Sequence, residues 1–182
     1  MVGPGRYAEV RPQMLTRVLL LVVTALAAHV ALIHRIRLFG VVPDTMLLVS
    51  IVAALETGSE LGAAVGFAAG LGIDLVSTGS PLGLRALIFT LVGWGVGFAR
   101  DRAFPGAERV PFALVAVASV LGTALYGGLL TAARGVTVPA LRHLGTTIAV
   151  VAVLNALFSP LARPVVRRLL SVNWNDPVNR RA

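Results

Sequence analysis

The chain has 182 residues, 57% of them hydrophobic and 13% charged, with a mean hydropathy of +0.86. A soluble domain carries about a quarter charged residues, so this composition defines a membrane protein and leaves too little polar sequence for a sizeable soluble domain. The net charge is +8 and there is no cysteine, which excludes disulfides and thiolate metal sites.

All sixteen basic residues are Arg and lie scattered between apolar stretches. That distribution fits topology signals and contacts to anionic lipid, and no nucleic-acid partner is expected.

Residues 1–13 are polar, with Arg6, Arg11 and two prolines, and read as a cytoplasmic lead. Residues 14–33 form the first span, roughly 30 Å as a helix. His34-Arg35-Ile36-Arg37 follows it, so a cleaved signal peptide fits poorly. Within this span Ala27 and Ala31 are a small-xxx-small pair of the kind that lets helices approach in lipid, and His29 reads as a hydrogen-bonded packing residue. The second span, 41–55, is short and opens on Pro43-Asp44, a good helix start.

The third span, 58–76, follows Thr57-Gly-Ser-Glu60, which matches a capping box. Gly58, Gly62, Gly66 and Gly70 recur every fourth residue, and the next step of the row is Asp74. On a helix this is one ridge of bare backbone ending in a carboxylate. The fourth span, 85–99, repeats the device with Gly93 and Gly97. The fifth and sixth spans are 110–133 and 144–162, the last carrying Asn155. Residues 163–182 read as an Arg-rich cytoplasmic tail in which Arg163, Arg167 and Arg168 meet lipid phosphate.

The sequence thus predicts an all-α integral membrane protein with a six-helix transmembrane domain over residues 14–162. Six spans place eleven arginines on the side of the termini and five (Arg35, Arg37, Arg85, Arg134, Arg142) on the other. The positive-inside rule then makes both termini cytoplasmic.

Asp74 falls in the last turn of its helix, where the dipole disfavours a carboxylate, and burial there demands a compensating group. Arg85, across a short turn, is the nearest candidate. Asp44, Asp74 and Arg85 are therefore expected to form a buried polar cluster, although for Asp44 alone the plain helix-start role is the better reading. The glycines and the Ala27/Ala31 pair are expected at helix-packing faces, against helices of this chain, a second copy or a partner.

Catalysis is not expected. Ser80 sits in Thr78-Gly-Ser80-Pro, but the chain offers no convincing His to complete a dyad. There is no phosphate loop, no HExxH and no metal-ligand cluster, and no cofactor is expected.

Pro43-Asp44, then Glu60-Leu-Gly62, Gly66-Phe67-Ala-Ala-Gly70-Leu71, Asp74 and Pro81-Leu82-Gly83, taken in this order and spacing, resemble the MreD family of bacterial rod shape-determining membrane proteins. The resemblance runs from about Met14 to Arg168 and is carried mainly by Pro43 to Gly97. It implies a non-enzymatic scaffold or regulatory subunit of the cell-elongation complex in the bacterial cytoplasmic membrane. Its expected partner is an MreC-like bitopic protein, and through it RodA, a class B penicillin-binding protein and MreB, which ties it to peptidoglycan synthesis. The family's fold is similar to that of ECF transporter S-components. The alternative is therefore an S-component that binds a small vitamin-like substrate, with the Ala27/Ala31 face docking on an energising subunit.

Overall fold

The computed structural model describes residues 12–33, 41, 43–77, 81–103, 112–135 and 137–170. Arg6, Arg11, Arg35, Arg37, Ser80, Arg109, Arg180 and Arg181, with the lead before residue 12 and the tail after residue 170, lie outside the described residues. Among the described residues six helices follow one another: α1 (Pro12–Ile33), α2 (Thr45–Thr57), α3 (Ser59–Val76), α4 (Leu84–Ala103), α5 (Phe112–Arg134) and α6 (Val138–Leu170).

Four of them, α1, α3, α5 and α6, are long and apolar enough to cross a membrane. The other two depart from a simple span for different reasons. Every 18-residue window of α4 holds at least three of Arg85, Arg100, Asp101 and Arg102. The helix α2 has only 13 residues, roughly 20 Å, against the ~30 Å of a bilayer core.

That short helix is the centre of the bundle. It touches all five others, and every residue from Met46 to Glu56 except Val49 is buried. Met46, Leu47, Ile51, Ala53 and Ala54 have no exposed surface at all. A helix enclosed on every side by other helices need not match the lipid thickness, because its neighbours provide the apolar surroundings. Its start is fixed locally: the Leu47 N–H donates to Asp44 Oδ1 at 3.0 Å, so Asp44 is an ordinary N-cap.

The link from α2 to α3 is one residue. Gly58 adopts φ +92°, a conformation that costs a side-chain-bearing residue dearly. Its N–H closes α2 on Ala54 O at 2.9 Å, while its own carbonyl accepts from Gly62 N at 3.0 Å. The expected capping box is not formed. Thr57 is the last residue of α2, its hydroxyl donates back to Ala53 O at 2.7 Å, and α3 starts with no side-chain cap.

The last helix also departs from expectation. It does not stop near Ala162 but runs to Leu170, through Pro160 and Pro164. Proline at 160 removes the N–H that would bond the Ala156 carbonyl; the Ser159 hydroxyl donates to that carbonyl instead, at 2.8 Å. Beyond the prolines the helix is held by its buried face, since Val166 and Leu170 are each 1% exposed. The Leu170 carbonyl also accepts from Arg17 of α1 at 3.4 Å.

Candidate functional site

Five glycines make a seam between α3 and α4. A Cβ on Gly62 would stand 2.5 Å from Ala54 Cβ and 2.9 Å from Gly93 O. One on Gly70 would stand 2.5 Å from Ala86 Cα, and one on Gly97 2.5 Å from Ser59 Cα. Gly66 faces the Phe89 carbonyl and Gly93 faces Gly62 in the same way. Backbones this close are what small residues at four-residue spacing permit in lipid. The ridge is therefore occupied by the chain's own fourth helix. Gly58 does not belong to it: a Cβ there would meet the Asp101 carboxylate, at 3.3 Å, and its role is the turn. Ala27 and Ala31 face outward on α1.

The ridge ends at Asp74, which is 4% exposed. Its Oδ2 accepts from the backbone N–H of Gly83 at 2.9 Å, Arg85 at 3.1 Å and Ala86 at 3.4 Å. These are among the N–H groups that the first turn of α4 cannot satisfy internally. The carboxylate thus leaves the unfavourable end of its own helix for the favourable end of the next. The Arg85 Nε lies 4.0 Å from Asp74 Oδ1, an ion-pair distance but not a hydrogen bond, and both atoms are buried without a hydrogen-bond partner. The Arg85 guanidinium also stacks 4.3 Å over the Tyr126 ring of α5.

Asp44 lies on the same end of the bundle but serves α2. Beside it Thr45 shares a 2.7 Å hydrogen bond with His29 Nδ1 of α1. Helices α1 to α5 thus each bring a polar side chain to this end. Tyr126 was invisible to sequence reasoning, because nothing local links it to Arg85.

The opposite end holds a cluster that the sequence did not reveal. Glu56, at the C-terminal end of α2, is 2% exposed. It accepts from Arg163 Nε on Oε1 and from Arg167 Nε on Oε2, the latter at 2.6 Å. A buried carboxylate at the negative end of a helix needs such compensation. Arg163 and Arg167, expected in a lipid-bound tail, are part of α6 and reach Glu56 from it, with Arg167 and Arg168 both exposed. The helical spacing of 163, 166, 167 and 170 was the available signal; the prolines and the arginines masked it. Midway between the ends, Asn155 of α6 donates to Ser119 Oγ of α5 at 3.1 Å, with both side chains fully buried.

Among the described residues no group of three His, Asp or Glu side chains could hold a metal ion. The buried polar groups described here cap helix ends and cross-link helices, an arrangement that fixes a bundle.

Fold and composition together define an all-helical membrane protein. The chain belongs to the MreD family: the family model described as rod shape-determining protein MreD matches residues 11–171, nearly its whole length. No curated protein and no solved structure matches it.

Proposed function

We propose that this protein acts in rod-shape determination as a non-catalytic membrane scaffold of the cell-elongation machinery. The family match over residues 11–171 carries the reading, since that family is one of shape determination. In this reading all six helices lie within the cytoplasmic membrane, with α2 enclosed by the others. The Glu56 end, which also carries Arg17, Arg100, Arg102, Arg163, Arg167 and Arg168, faces the cytoplasm with both termini.

The partner is an MreC-like bitopic protein, and through it RodA, a class B penicillin-binding protein and MreB. The α3–α4 seam is filled by the chain itself, so the docking helix is assigned to the outward small-residue face of α1, with Ala27 and Ala31. The experiment is affinity copurification from membranes of the wild type and of Ala27→Leu/Ala31→Leu. Wild type should retain an MreC-like protein and the variant should lose it. Equal recovery from both would remove α1 from the interface, and no recovery from either would overturn the scaffold reading.

The alternative, an S-component binding a small vitamin, uses the same face of α1. Its support is limited to the family-level fold similarity, and a small molecule retained by the purified protein would favour it.

A further inference from the structure

The Glu56 end contains a feature that helix packing does not require. A cleft of about 340 Å³ opens between α2, α5 and α6, within the size range of small-ligand pockets. Its walls are mostly apolar, with Val52, Leu55, Phe112 and Val115 among them, and its polar residues are Ser159 and, at the rim, Glu56, Arg163 and Arg167.

We infer that this cleft binds a phosphate-headed anionic lipid, with hydrocarbon against the apolar walls and phosphate on Arg163 and Arg167. Two arginines against one carboxylate leave a net positive charge at the rim. A guanidinium has five N–H donors, and each arginine commits only its Nε to Glu56. The terminal nitrogens remain, on side chains 23% and 52% exposed. Glu56 thereby fixes two planar forks in place, the geometry that suits bidentate phosphate.

The walls decide the source of the phosphate. A soluble anion would leave them in contact with water, whereas an acyl or prenyl chain would cover them. The position fits too. In the orientation proposed above, on which this point rests, the rim lies at the cytoplasmic end of α6 beside the exposed Arg168, where anionic lipid attracts arginines.

Native mass spectrometry of the full chain, purified in mild detergent and supplied with phosphatidylglycerol or phosphatidylcholine, tests the assignment. The wild type should retain phosphatidylglycerol preferentially. Arg163→Gln/Arg167→Gln should reduce that preference by roughly fivefold per arginine. Val115→Phe, which fills the cleft and leaves the charges intact, should reduce retention of the lipid. Arg142→Gln, an exposed arginine in the first turns of α6, should change nothing.

Thermal melts of each variant separate loss of lipid from loss of fold. Equal retention of the two lipids by the wild type would overturn the proposal, as would unchanged retention by folded Val115→Phe. Displacement of the lipid by glycerol phosphate at equal concentration would reassign the rim to a soluble anion. A photo-reactive residue at position 159 that captured a polypeptide in membranes, and no lipid, would overturn it as well.

Discussion

Gly66→Ala is the smallest change that tests the α3–α4 seam. A Cβ at this position would lie 2.7 Å from the Phe89 carbonyl carbon and nearer still to its oxygen, where ordinary contact begins at 3.4 Å. The obstacle is backbone, so no side-chain rotation relieves it. The helices must separate, yet Gly62, Gly70, Gly93 and Gly97 hold the same seam at comparable distances. Overpacking of this kind costs about 1–3 kcal/mol, or roughly 2–10 °C in Tm for a chain of this size.

Gly95→Ala is the matched control, on α4 with no atom within 4 Å of the added Cβ. There the exchange should be neutral or should stabilise the helix by about 0.5–1 kcal/mol. Circular dichroism melts in one detergent measure both variants. A Gly66→Ala protein that melts at or above Gly95→Ala would refute the reasoning, because the seam would then tolerate a methyl group.

The two carboxylates at the other end should rank in a definite order. Asp74→Asn keeps an acceptor for the first turn of α4 but removes the charge facing Arg85, and should lower stability by about 1–3 kcal/mol in the same melts; a wild-type melting curve would show that the charge is dispensable. Asp44→Ala removes only the N-cap bond to Leu47 and should cost about 1 kcal/mol. A larger loss than in Asp74→Asn would show that Asp44 holds more than its own helix.

Legibility from the sequence followed distance along the chain. The glycine period, the Pro43-Asp44 helix start and the wrong-end position of Asp74 are local features, and each constrains its surroundings within a turn or two. Asp74 and Arg85 are 11 residues apart, so the search for a compensating group had few candidates. Even there, the three backbone N–H groups on Asp74 Oδ2 were not foreseen, because sequence inspection looks for side chains and helix ends are backbone. The capping box at Thr57 failed for a related reason: the motif was present, but a single glycine turned the chain and returned the threonine to α2.

A helical membrane protein, with glycines at packing spacing and a carboxylate that had to be answered, was legible in the order of the amino acids. These follow from composition and periodicity, which act through the covalent neighbourhood. The folded bundle was needed to see that α2 is the enclosed centre, that α6 continues past its prolines, and that the glycine ridge meets α4. It alone brought Arg163 and Arg167 to Glu56, across 107 and 111 residues, and Asn155 to Ser119 across 36. In a chain that is apolar almost throughout, burial on any face is similarly favourable. The faces that meet are therefore chosen by close packing and by pairing of the few polar groups, and both are properties of the assembled bundle.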